Sequence, residues 1–176
     1  MSIYLIDFVP VEAAAWLEPR IRDGSSIRID GPQGSGKTTL LSALANTVDQ
    51  LKPVAGLADH PGELECLRDR GHTLTLIMPV MAQRHQLSNI TDILLRQAVG
   101  VVVADDPQPQ TWSILPEIQL AGTAVWASSS ERSRHLDADI YIRLGTKPRY
   151  QVELITDAGR PVYWISDDTI HFSPDG

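Results

Sequence analysis

The chain has 176 residues, 43% of them hydrophobic and 21% charged, which suits a soluble globular protein and excludes a disordered one. Fifteen Lys+Arg against 22 Asp+Glu leave a net charge of −7, which argues against a broad basic face for non-specific grip on nucleic acid. The single cysteine, Cys66, excludes an internal disulfide, and no stretch reaches the ~18 apolar residues of a membrane span.

Met1 to Asp7 lacks a basic n-region and Asp7 interrupts its apolar run, so no secretory signal is expected and a cytoplasmic protein is. Apolar spacing across Val11 to Ile21 predicts a first helix, closed by Asp23-Gly24. Ser25 to Asp30 alternates as a strand with Ile27 and Ile29 on one face. A glycine-rich loop, Gly31 to Thr38, leads into a helix expected to run to Gln50. Pro53 to Ala58 is a short strand candidate, and Glu63 to Arg70 a helix stopped by Gly71. His72 to Met78 is rich in β-formers, Gln83 to Asn89 reads as a loop, and Ile90 to Ala98 has helical spacing.

Gly100 to Ala104 is a continuous valine run of the kind buried on both faces of a sheet. Trp112 to Leu120 reads as a helix despite Pro116, and Thr123 to Ala127 as a strand. This alternation predicts a mainly parallel sheet flanked by helices. After Leu136, short strands at Asp139–Leu144, Tyr150–Ile155, Pro161–Ile165 and Thr169–Phe172 predict an antiparallel meander that extends it. The expected organisation is one domain over 1–176: a helical lead-in (1–24), a core (25–135) and the meander (136–176).

Gly31-Pro32-Gln33-Gly34-Ser35-Gly36-Lys37-Thr38 satisfies G-x-x-x-x-G-K-[ST] between a strand and a helix. A chance match in a chain this long is roughly a one-in-a-hundred event. The residue types follow from the chemistry of phosphate binding. Gly34 and Gly36 supply positive-φ freedom, so that backbone N–H groups close around phosphates at a positive helix N-terminus. Lys37 reaches the β- and γ-phosphates and the Thr38 hydroxyl ligates Mg²⁺. Gly31 to Thr38, with Thr39 behind them, are therefore the candidate nucleotide-binding residues, and ATP with Mg²⁺ the expected ligands.

A second acid for the Mg²⁺ shell is expected at the end of a neighbouring buried strand. Val101 to Ala104 delivers Asp105 and Asp106 there, with Asp105 favoured; the alternative is a turn that merely ends the strand. Asp59 and Glu63 form another acidic candidate. Glu63 either orients an attacking water or complements a helix dipole.

The ordered segments Leu57 to Leu64, Ile93 to Gln97, Val101 to Asp106 and Ala121 to Ser128, behind the glycine-rich loop, resemble the secretion or traffic ATPases. These are the ATPases of type II and type IV secretion, type IV pili and conjugative transfer. Leu136 to Arg143 and Gln151 to Ile155 are similar to the closing strands of the conjugation-type branch. The resemblance spans about residues 10–172 and implies a RecA-like P-loop NTPase core. It further implies ATP hydrolysis, a homo-oligomeric ring or a partner chain of a secretion- or pilus-type machine, and a place at the inner membrane through such partners. Departures are specific. The family's Asp-box glutamates fall on Ala58 and Glu63, its Walker B glutamate on Asp105, and its His-box histidines on Thr123 and Ser130. Its large N-terminal domain has no counterpart here. These departures keep two further readings open: a catalytically weak nucleotide-binding regulator, and a small-molecule kinase, which the meander and the lack of an Arg-rich lid oppose.

The remaining candidates have ordinary explanations. His60, His72, His85, His135 and His171 lack metal-ligand spacing, and Cys66 has no nucleophile signature. Ser128-Ser129-Ser130 has no hydrolase-elbow context, and is either strand-end polarity or a sensor facing the phosphate. Trp16, Trp112, Trp126 and Trp164 read as packing, with Trp16 an alternative stacking surface for adenine. Arg84, Arg96, Arg132, Arg134, Arg143 and Arg149 are candidates for contacts to a neighbouring subunit's phosphates or simply solvated surface.

Overall fold

The computed structural model describes residues 4–47, 51–55, 73–77, 99–120, 122–130, 136–145 and 151–174. Its centre is a nine-stranded sheet in the order β2-β3-β4-β5-β1-β6-β7-β8-β9. The strands are β1 (Ile27–Asp30), β2 (Leu51–Ala55), β3 (Thr73–Ile77), β4 (Val99–Ala104), β5 (Ala124–Ser129), β6 (Ile140–Leu144), β7 (Val152–Asp157), β8 (Arg160–Ser166) and β9 (Thr169–Phe172). Strands β2 to β6 all pair in parallel, and β6 to β9 pair antiparallel. The mainly parallel α/β sheet with an antiparallel C-terminal extension is thus the architecture expected from the sequence. The extension is attached in a way the strand pattern did not reveal: its first strand, β6, joins the parallel sheet against β1.

Helix α1 (Val11–Arg22) buries Ala13, Ala14, Leu17 and Ile21, one stripe at helical spacing. Pro19 lacks a backbone donor, and the helix ends within one turn of it. Gly24 takes φ +84° as the chain turns, and its N–H bonds the Ile21 carbonyl at 3.2 Å. A 3₁₀ turn precedes α1 at Leu5–Asp7, where the Asp7 carboxylate accepts from the Tyr4 N–H at 2.9 Å. Helix α2 (Lys37–Asn46) buries Leu40, Leu41, Ala43 and Leu44. It stops short of the expected Gln50. Thr47 caps it, turning its hydroxyl back onto the Ala43 carbonyl at 3.0 Å, and the β-branched Val48 that follows is a poor helix former.

Helix α3 (Pro109–Leu120) begins three residues before the expected Trp112, because proline at a first helical position costs no hydrogen bond. It ends at Gly122, φ +87°. Strand β2 begins at Leu51, ahead of the expected Pro53, and residues 56–58 of the expected strand lie outside the described residues. The helices expected at Glu63–Arg70 and Ile90–Ala98, and the loop at Gln83–Asn89, lie outside the described residues.

One face of the sheet (Ile27, Ile29, Val101, Val103, Trp126, Ile140, Ile142) joins α1 and α2 in a single apolar cluster. The alternate residues Val102, Ala104, Val125 and Ala127 are buried as well, on the side where α3 contributes Trp112, Leu115 and Ile118. Beneath β1 the second face is polar. Arg28 and Asp30 are 8% and 6% exposed and form a bidentate pair, Nε–Oδ1 3.0 Å and Nη2–Oδ2 2.8 Å. Among the described residues no helix is long and apolar enough to cross a membrane.

Candidate functional site

Sheet register assembles the site. Asp30, the last residue of β1, pairs with Ser129 on β5 and with Arg143 on β6. Ala104 pairs with Ala127, which sets Asp105 beside Ser128 one step further along. The glycine-rich loop, the acid after β4 and the polar end of β5 therefore meet at one carboxyl edge, where open parallel sheets bind ligands. The order matters because β5 lies between the loop strand β1 and the acid strand β4.

The loop itself is built around its glycines. Gly34 and Gly36 have φ +77° and +100°, which a side chain would strain. At Gly31 the reason is space: a Cβ there would lie 2.6 Å from Ser35 Oγ and 3.0 Å from Leu144 Cβ. Lys37 is buried, and its ammonium donates to the carbonyls of Gly31 (2.9 Å) and Pro32 (3.0 Å), across the loop it closes. The Ser35 hydroxyl is buried and has no hydrogen-bond partner among the described residues. Gln33 and Thr38 are exposed, and Thr39 half-buried behind them. The first-turn N–H groups of α2 have no carbonyl partner within the helix, so they point out of its positive end.

Thr38 and Asp105 are 67 residues apart in sequence and 2.5 Å apart in space, the Thr38 hydroxyl donating to Asp105 Oδ2. The Ser128 hydroxyl, fully buried on β5, donates to Asp105 Oδ1 at 2.6 Å and accepts from the Asp106 N–H at 2.9 Å. Asp106 has φ +43°, and Ser130 holds it there: the Ser130 hydroxyl donates to Asp106 Oδ2 at 2.8 Å and the Ser130 N–H to Oδ1 at 3.1 Å. Thr38 with Asp105 offers hydroxyl and carboxylate oxygens at an exposed edge, a hard-oxygen donor set that fits Mg²⁺. The orphaned Ser35 hydroxyl and the free helix end fit phosphate oxygens beside it. Asp106, engaged by Ser130, is next to this donor set rather than in it.

Of the other candidates, Glu63, Asp59, Cys66, His60, His72, His85, His135, Arg84, Arg96, Arg132, Arg134 and Arg149 lie outside the described residues. Trp16 has the Arg20 guanidinium 3.7 Å over its ring and packs against the core, so its face is already covered. Trp126 is fully buried, and Trp164 stacks on His171 at 5.0 Å between centroids. The serine run reads as strand-end polarity or as a sensor facing the phosphate, and the hold of Ser128 on Asp105 is neither of these. A polar residue at the end of a buried strand was the available signal, and the strand order supplies the rest.

A cleft of about 320 Å³ opens on the far side of the loop, lined by Asp30, Gly31, Pro32, Ser130, Arg143 and Glu153 among others. Arg143, a candidate for a neighbouring subunit's phosphates, faces Glu153 there with Nε and Oε2 3.4 Å apart.

The sequence matches no family model and no curated protein. Among solved structures, the genome packaging NTPase B204 from Sulfolobus turreted icosahedral virus 2, in complex with AMP, superposes with a TM-score of 0.51 at 13% identity. The match covers 85% of this chain and 96% of that one, and it establishes a shared P-loop NTPase fold. A dimeric bacterial ABC transporter cassette, MJ0796, matches at a TM-score of 0.44 and 13% identity over 77% of this chain and 86% of its own, too loosely to carry an argument.

Proposed function

We propose that this chain binds ATP with Mg²⁺ and hydrolyses it. The observation that carries the reading is the contact between Thr38 and Asp105, which joins the phosphate loop to an acid two strands away. In this reading the loop N–H groups and Lys37 hold the phosphates, and Lys37 exchanges its two loop carbonyls for phosphate oxygens. Thr38 and Asp105 hold Mg²⁺, which when bound neutralises charge on the phosphate oxygens. Ser128 fixes the Asp105 carboxylate so that its rotamer is set before ligand arrives. Glu63 is the proposed residue for orienting the attacking water.

The resemblance to secretion, pilus and conjugation ATPases extends the proposal to a cytoplasmic motor core, acting in a homo-oligomeric ring or with a partner chain. One observation favours a slower variant, a nucleotide-binding regulator: Asp106, the second carboxylate at the edge, is already occupied by Ser130.

Phosphate release measured with and without Mg²⁺, on wild type and Asp105→Asn, tests the reading. We expect Mg²⁺-dependent turnover that falls about 100-fold in the variant, ~2.7 kcal/mol of barrier, while Mg²⁺-free ADP affinity is kept. Turnover unchanged by Asp105→Asn contradicts the assignment. Nucleotide binding without turnover in wild type selects the regulator.

A further inference from the structure

We infer that Arg143 is a phosphoryl-binding residue, acting within the same chain from the cleft beside the phosphate loop. Its position is fixed by the sheet. Arg143 pairs in register with Asp30, and Asp30 is followed directly by Gly31, so the guanidinium stands one strand from the start of the loop. It lines the cleft together with the Gly31 and Pro32 backbone. Lys37 approaches the carbonyls of these same two residues from within the loop. Two cations therefore flank one loop segment.

Three features separate this arginine from a solvated surface charge. Asp30, the nearest acid in register, is engaged by the bidentate Arg28 pair, and among the described residues no ion pair joins it to Arg143. Glu153 stands 3.4 Å from Arg143 Nε, yet that buried Nε–H makes no hydrogen bond among the described residues. The ion pair thus aligns the side chain while its Nε–H stays unbonded. Gly145 is what lets Glu153 lie there, because any Cβ at that position would overlap the Glu153 carboxylate. The side chain remains 41% exposed and lines the cleft, and a guanidinium carries a planar fork of donors. That fork matches phosphate oxygens in pairs, which an ammonium cannot do. Ser130 shares the cleft wall and holds Asp106, so an oxyanion bound there also touches the group that sets the Asp105–Asp106 corner.

The ligand chemistry is a phosphoryl oxyanion. Its source is either the terminal phosphate of a nucleotide on the loop, which rests on the function proposed above, or a separate phosphate in the cleft, which does not. Calorimetry on the full chain with Mg·ADP and a non-hydrolysable Mg·ATP analogue, and phosphorus NMR with inorganic phosphate, separate the two. The terminal-phosphate source predicts that Arg143→Gln weakens the triphosphate about 10-fold, the loss of one charge-assisted contact, and leaves ADP unchanged. The separate source predicts that both nucleotides are unaffected while phosphate line-broadening, seen with wild type even in a Lys37→Ala background, disappears. Glu153→Gln removes the aligning carboxylate and weakens whichever ligand responds, which a purely structural Arg143 would not produce. Nucleotide and phosphate affinities all within two-fold of wild type in a folded Arg143→Gln protein overturn the inference. Failure of wild type to bind nucleotide would instead sink the proposed function, and the phosphate arm would still decide the role of Arg143.

Discussion

Two polar clusters occupy adjacent parts of the same sheet, and they differ in where their hydrogen-bonding capacity goes. In the first, Arg28 and Asp30 on β1 bind each other through two bonds, both side chains buried, with Tyr141 beside the same carboxylate. In the second, Asp105 is gripped from below by the buried Ser128 hydroxyl and, among the described residues, reaches upward only to an exposed Thr38. The first closes on itself inside the fold. The second is anchored at one end and open at the other, which is what a ligand-holding acid requires. A buried charge pair is therefore weak grounds for a site here, and a half-buried acid with a buried positioner is stronger.

Breaking the closed cluster should have the larger effect on stability. Asp30→Ala removes both carboxylate bonds from the buried Arg28 guanidinium, and is expected to cost about 3–5 kcal/mol in denaturant unfolding. The double change Arg28→Met with Asp30→Leu should recover most of that loss. A cost below about 1 kcal/mol for Asp30→Ala would show that the pair is solvated after all.

Breaking the open cluster at its anchor should act mainly on function. Ser128→Ala frees Asp105 Oδ1 and the Asp106 N–H together. We expect about 1–2 kcal/mol of destabilisation and turnover slowed about 10-fold, with Mg²⁺-free ADP affinity unaltered. Equal losses in ADP affinity and turnover would place Ser128 among general scaffold residues instead.

The smallest effect concerns Tyr141. Burial first, then the Asp30 carboxylate, raise its pKa above the ordinary 10.0, against smaller opposing contributions from Arg143 and Arg28. The unfolded chain thus releases this proton at a lower pH than the native one, so stability falls as pH rises above about 10. Tyr141→Phe should flatten that fall. Identical alkaline slopes for the two proteins would separate Tyr141 from the closed cluster.

Much of this arrangement was legible because local chemistry dictates it. The loop spacing from Gly31 to Thr38 fixes a strand before and a helix after. The valine run fixes a buried strand ending at Asp105, and Asp157-Ala158-Gly159 fixes a tight turn, with Ala158 and Gly159 at φ +46° and +80°. What the sequence did not reveal depends on partners distant along the chain. Alternation in Arg28 and Asp30 reads as a solvent face, because nothing local shows that the pair will be covered. Strand β6 reads as part of an antiparallel meander, because the parallel neighbour that claims it, β1, lies over 100 residues earlier. Ser128 and Arg143 are candidates in the sequence, but their partners, Asp105 and the start of the loop, follow from strand order and register.

The central claim is that Gly31–Thr38 is a working nucleotide loop, and calorimetric titration of Mg·ADP into wild type and Lys37→Ala tests it most directly. The account predicts one nucleotide per wild-type chain, and affinity at least ~100-fold weaker in a Lys37→Ala protein that remains folded. Equal affinity in the two proteins, or no binding to wild type, would contradict it.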